Sequence, residues 1–239
     1  MANVLSIVNK EIKAYIQSPV LYFSAFFFLL ISGSWFYFVI NNIATAEPGM
    51  ETTFKMMVSL LLLLCPVLTM HLFADERRSG TIELLMTYPL KDWEVVVGKY
   101  ISSLILFIAI VLCTLEFPLF ILIFGEAEIG PMFTGYFGFI LLGASFLAVG
   151  VLGSAMSKSQ MLASVISFSI VLGLMIFGLA ANMVGPGPLA HVLEYLPGTA
   201  HYENFAAGLI DTRDLIFFAS FIFFSLFTAI RVVEINRWK

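Results

Sequence analysis

Charge is scarce in this chain of 239 residues: Asp, Glu, Lys and Arg together make up 12% of it, against about a quarter in an ordinary soluble domain. That shortage excludes a soluble globular protein. The twelve Lys and Arg residues are few and dispersed, so they form no basic face of the kind nucleic acid requires. Cysteine is nearly absent. The two present, Cys65 and Cys113, lie inside apolar runs and offer neither a disulfide framework nor metal spacing. The phosphate-cradling pattern G-x-x-x-x-G-K-[ST] is also missing, since Gly98 and Lys99 are followed by Tyr100 and no correctly spaced glycine precedes them. ATP hydrolysis by this chain is therefore not expected, and no catalytic residue is assigned. His191, Glu194, His201 and Glu203 match no H-E-x-x-H spacing, so no metal site is assigned either.

What the chain does contain is 60% hydrophobic residues and a mean hydropathy of +0.99. A hydrocarbon core of roughly 30 Å takes about 20 helical residues to cross. Runs of that length fall at residues 20–40, 54–73, 95–124, 132–156, 161–184 and 215–233. The expected fold is thus an all-α integral membrane protein with six transmembrane helices. Residues 1–18 place Val4, Leu5, Val8, Ile12, Tyr15 and Ile16 on one side and Asn9, Lys10, Lys13 and Gln17 on the other. That pattern is an amphipathic helix lying in the interface plane. A cleaved signal peptide is disfavoured, because its apolar region would span only about 7 to 15 residues. Pro66 is expected to kink the second span and Pro118 lies late in the third. Spans four and five, separated by residues 157–160, should form an antiparallel hairpin. Residues 185–214 hold two short helical patches, at about 189–196 and 199–207, each half the length needed to cross. They read as re-entrant or interfacial helices. Thr212 is expected to cap the sixth span, with Asp214 in its first turn. The twenty-five Phe against seventeen Gly suggest aromatic bulk toward lipid and close helix approach elsewhere.

Threading six spans puts Lys10, Lys13, Arg77, Arg78, Lys91, Lys99, Lys158, Arg231, Arg237 and Lys239 on one side and leaves only Lys55 and Arg213 on the other. The positive-inside rule then places both termini in the cytoplasm. The densest charge lies in residues 74–99 on that side. There Ser79 can cap a short helix from Gly80 that shows Ile82, Leu85 and Met86 on one face, Pro89 ends it, and Asp92 can cap a second helix running into the third span. This is either a handle for a soluble partner or a solvated loop whose apolar face rests on lipid.

The run DERRSGTIELLMTYPLKDWEVVVGK resembles the cytoplasmic coupling segment of ABC-2 type transporter permeases at Glu76, Arg77, Gly80, Thr81, Glu83, Leu85, Pro89 and Lys99. Lys10, Glu11, Lys13, Tyr15, Ser18 and Pro19 resemble the same family's connecting helix. The late run HYENFAAGLIDTRDLIFF and the terminal E-x-N-R-W are similar to gliding-motility-type permeases. The resemblance implies a connecting helix at residues 1–19 and a six-span permease domain at 20–239, with a coupling segment at 74–94 and an extracytoplasmic helical loop at 185–214. It further implies a second permease subunit, a cytoplasmic ABC ATPase dimer that binds the ATP and magnesium, and a periplasmic auxiliary subunit, all at a bacterial cytoplasmic membrane. Glu76, Arg77, Gly80, Thr81, Ile82, Glu83, Leu85 and Met86, with Lys10, Glu11 and Lys13, would contact the ATPase. Glu116, an acid inside a span, joins His201 and Glu203 as candidates for the transport pathway. Two other readings remain: a membrane anchor that passes ATPase work to an extracytoplasmic partner without transport, and an intramembrane hydrolase using Glu116 or the His191 and His201 region.

Overall fold

The computed structural model describes residues 2–42, 50–78, 91–124, 129–184, 187 and 195–237. They form ten helices: α1 (Ala2–Gln17), α2 (Pro19–Asn42), α3 (Glu51–Thr69), α4 (His71–Arg78), α5 (Asp92–Cys113), α6 (Glu116–Phe124), α7 (Ile129–Met156), α8 (Gln160–Val184), α9 (Gly198–Ala206) and α10 (Thr212–Arg237). No strand occurs among the described residues. Six stretches are long and apolar enough to cross a membrane, with α3 and α4 together making the second and α5 and α6 the third. The chain is an all-α integral membrane protein.

The bundle is built around α7. Of its apolar 18-residue stretch 78% lies inside the fold, against 22%, 17% and 22% for α2, α8 and α10. Its surface explains why neighbours can approach so closely. A Cβ on Gly143 would meet the Phe107 ring of α5 at 2.2 Å, and one on Gly150 would meet Thr69 Oγ1 of α3 at 2.1 Å. Gly138 receives Phe205 of α9 and Gly153 receives Ser167 of α8 in the same way. Small residues let helices pack where lipid gives no hydrophobic reason to do so. Phenylalanine divides accordingly: Phe28, Phe54, Phe107, Phe139, Phe205 and Phe218 fill the interior, while Phe23, Phe26, Phe27, Phe223 and Phe224 face outward.

Two spans expected to be continuous are interrupted. The break in the second falls at Met70, four residues beyond Pro66, where the expected kink was placed. There Ser154 of α7 enters the helical ladder: its Oγ accepts from the Phe73 N–H at 3.0 Å and donates to the Met70 carbonyl at 3.2 Å. A side chain inserted into the ladder breaks it as effectively as a proline. The helix then resumes as α4 and carries the charged residues through Arg78, so the first part of the polar stretch is helical. In the third span the break falls at Thr114 and Leu115. Pro118 has no N–H to give the Thr114 carbonyl, which accepts instead from the Phe117 N–H at 3.1 Å and from the Tyr136 hydroxyl of α7 at 2.8 Å.

Two expected caps are displaced by one residue. Lys91, in extended conformation, is the residue before α5, and Asp92 is already helical; the Glu94 carboxylate accepts from the Lys91 N–H at 3.0 Å. Asp211 caps α10 in place of Thr212, accepting from the Arg213 N–H at 2.9 Å. Pro197 precedes α9, and Gly208, with φ of 89°, ends it. The Leu209 N–H returns to the Asn204 carbonyl at 2.9 Å across that left-handed turn. Residues 79–90, which hold the expected coupling helix, lie outside the described residues, as does most of the patch at 189–196.

If α7 is the packing axis, Gly143→Ala should lower stability by about 1–3 kcal/mol through overpacking against Phe107. Gly173→Ala on α8, where a Cβ meets nothing within 4 Å, should leave the thermal midpoint of the detergent-solubilised protein unchanged or slightly raised. Equal midpoints for the two variants would contradict this view of α7.

Candidate functional site

At the end of the bundle that carries α1, this helix crosses α5 at Gly98, where a Cβ would lie 2.9 Å from Ile7 Cγ2. The buried face of α1 is Ile7, Val8, Glu11 and Tyr15, while Leu5 and Ile16 point outward. The face expected from hydrophobicity is therefore rotated. Glu11 turns inward because a cation waits there, and Leu5 and Ile16 are left as apolar surface for the interface plane. The Tyr15 hydroxyl donates to the Leu68 carbonyl of α3, and burial pushes the phenol pKa up, so the group stays neutral.

The cation is Lys99, whose side chain is 1% exposed. Its Nζ lies 2.8 Å from Glu11 Oε1, 3.1 Å from Glu76 Oε2 and 2.5 Å from the Leu72 carbonyl. The ammonium donates to Glu11 and to the Leu72 carbonyl, and Glu76 completes its surroundings as an ion partner. The Phe73 ring lies beneath, its centroid 5.2 Å away. The other Glu76 oxygen accepts from Lys10 at 3.1 Å. Two carboxylates and two ammonium groups thus join α1, α4 and α5 with no net charge left over. On its other flank α4 reaches the α7–α8 turn: Arg77 donates to the Ser157 carbonyl at 3.3 Å, and Gln160 donates to Asp75, which also faces His71 at 3.3 Å. A cavity of about 240 Å³ remains between α1 and α4, lined by Lys10, Glu11, His71, Asp75, Glu76 and Lys99 among others.

Of the residues assigned to ATPase contact, Lys10 and Lys13 are exposed, but Glu11 and Glu76 face into the chain and are held by Lys99. Arg77 is half-buried against the α7–α8 turn. Gly80, Thr81, Ile82, Glu83, Leu85 and Met86 lie outside the described residues. Lys99, matched in the motif without a role, is the centre of the cluster. Only the fold brings it to Glu11 and Glu76, which are remote in the chain.

At the opposite end, α9 and the start of α10 hold a second cluster. His201 is 5% exposed and Asp214 3%; His201 Nδ1 lies 2.5 Å from Asp214 Oδ1, and Nε2 lies 3.0 Å from the Tyr195 carbonyl oxygen. Asn204 donates to the second Asp214 oxygen at 2.8 Å. Phe217 stacks on the imidazole at 3.9 Å. Asp214, expected to serve the helix dipole, instead partners His201. With both ring nitrogens occupied, His201 has none to offer a nucleophile or a metal. Among the described residues no group of three or more His, Cys, Asp and Glu could hold a metal ion; His191 and Glu194 lie outside them.

The other two pathway candidates stand apart. Glu203 is exposed on the opposite side of α9, where it shares a cavity of about 430 Å³ with Glu51, Lys55, Ser59, Thr199 and Tyr202. Burial pushes the Tyr202 phenol pKa up. Glu116 is exposed in the first turn of α6 and joins neither cluster. The structure therefore does not gather Glu116, His201 and Glu203 into one site.

A family model described as ABC-2 family transporter protein matches residues 5–234. The chain belongs to the ABC-2 transporter family. Comparison with curated proteins returns no match. As an ABC-2 permease, it is a membrane component of an ABC transporter, and membership implies association with an ABC ATPase.

Within this permease the Lys99 cluster should bear much of the rigidity of the α1 end. Lys99→Met removes the cation that faces the buried Glu11 carboxylate and should cost about 3–5 kcal/mol. Lys10→Met removes an exposed partner and should cost at most about 1 kcal/mol. Thermal midpoints of the purified variants decide between this ranking and a merely decorative cluster, for which the two would be alike.

Proposed function

We propose that this chain is the six-span permease subunit of an ABC exporter in a bacterial cytoplasmic membrane, with the α1 end and both termini in the cytoplasm. Residues 1–19 serve as connecting helix and 20–239 as the permease domain. Two ATPase subunits, which bind the ATP and magnesium, dock on the segment at 74–94 and on the outward face of α1 around Lys10 and Lys13. A second permease subunit completes the pathway, and a periplasmic auxiliary subunit of the gliding-motility type meets the loop at 185–214. The observation that carries this reading is the Lys99 cluster. It joins the helix that enters residues 79–90, the helix that leaves them and the connecting helix.

Docked through Ile82, Leu85 and Met86, the ATPase dimer would pull on the C-terminal end of α4 and the N-terminal end of α5. Because α1, α4 and α5 share buried charges, they would move as one body. Drawing the ATPase subunits together can shift the permease between inward- and outward-facing states only in so far as docking differs between the two. Ten basic residues on this side against two on the other support the orientation.

Leu85→Asp tests the assignment. An apolar anchor at a docking surface contributes about 2 kcal/mol or more, so this variant should fold normally yet bind the partner ATPase roughly thirtyfold more weakly, with loss of permease-stimulated ATP hydrolysis in reconstituted vesicles. Glu83→Lys should act in the same direction. Unchanged stimulation in both would sink the docking assignment.

A further inference from the structure

A neutral imidazole has one N–H and one lone pair. His201 presents acceptors to both nitrogens: the Asp214 carboxylate at 2.5 Å from Nδ1 and the Tyr195 carbonyl at 3.0 Å from Nε2. Only the doubly protonated ring donates at both. With a single proton, one of the two contacts becomes a meeting of lone pairs. The carboxylate has the stronger hold on the remaining proton, because hydrogen bonds to ionised groups are about twice as strong as neutral ones. The Tyr195 contact is the one that fails.

The surroundings leave Asp214 as the charge that governs this ring among the described residues. On α9, Glu203 points away from His201 toward α3, where Glu51 and Lys55 pair with each other at 2.6 Å. On α10, Asp211 and Arg213 are exposed in the turn before Asp214. The Tyr195 ring meets the imidazole edge to face at 4.5 Å. From α7, Gly138 and Leu142 meet α9, and from α8 Gly178 meets Pro197, all of them uncharged. Phe217 covers the ring face.

We propose that His201, Asp214 and Asn204 form a proton-operated latch. With the imidazolium in place it ties the Tyr195 carbonyl to α9 and α10, holding residues 195–197 against the start of the sixth span. Loss of one proton releases those residues while Asn204 continues to hold Asp214 to α9. The latch rests on the orientation proposed above only for the compartment whose pH it senses, which is then the extracytoplasmic one.

Hydrogen–deuterium exchange on the intact protein in lipid nanodiscs tests the latch without the ATPase or any assumption about orientation. Samples are compared at about pH 5.5 and about pH 8, on either side of the ordinary imidazole range, with rates corrected for the intrinsic pH dependence of exchange. Peptides spanning residues 195–206 should exchange at least about threefold faster at the higher pH, whereas peptides within α7 should not change. Asp214→Asn is the decisive variant, because its amide can donate to Nδ1 of a neutral ring and leave Nε2–H for Tyr195. It should remain protected at both pH values. His201→Gln, with no ring to titrate, should show one pH-independent rate. The absence of a pH effect in the wild-type protein would overturn the latch, as would a pH effect in either variant equal to that of the wild type. If one variant does not fold, the other and the wild-type comparison still decide.

Discussion

Lipid tails give the helices of this permease no hydrophobic reason to associate, so close packing has to supply it, and here the packing depends on α7. That helix touches α3, α4, α5, α8, α9 and α10. Its glycines make the contacts shorter than ordinary helix packing allows, because Phe107, Phe205, Thr69 and Ser167 occupy the volume where its own side chains would stand. Helices joined this way cannot slide past one another without withdrawing a side chain. Any rearrangement of the bundle would therefore be stepwise and not a continuous deformation.

The same helix accounts for the two interruptions in the spans. Hydrocarbon offers no water to a free carbonyl or amide, so an irregular backbone is tolerated only where protein supplies the missing partner. Tyr136 supplies it at Thr114, and Ser154 supplies it at Met70 and Phe73. Each interruption thus sits where α7 can repair it. Beyond the second, α4 carries Glu76 to Lys99 and Arg77 to the α7–α8 turn.

Much of this architecture is legible in the chain itself. Six apolar runs of sufficient length announce six spans. The remainder was hidden because it depends on pairs distant in sequence. Nothing near Pro66 indicates that Ser154 will move the break to Met70. Hydrophobic periodicity alone puts Leu5 and Ile16 on the buried face of α1, since it cannot see that Lys99 will draw Glu11 inward. Asp211, Thr212 and Asp214 are all residue types suited to the start of α10. Only the placement of His201 and Asn204 on α9 separates the cap from the buried partner.

Charge has opposite uses at the two ends of the bundle. Around Lys99 two carboxylates and two ammonium groups balance one another between three helices. Around His201 one buried ring faces two acceptors, the Asp214 carboxylate and the Tyr195 carbonyl. The two clusters are also unequally connected. The first binds three helices, whereas the second holds one short helix and the residues that enter it against α10. A discrete rearrangement about α7 would carry the first cluster as a rigid body and alter the second by changing how α9 lies over Gly138. The charges that tie three helices together therefore sit at one end of the bundle, and at the other a buried pair holds a single short element that lies over α7.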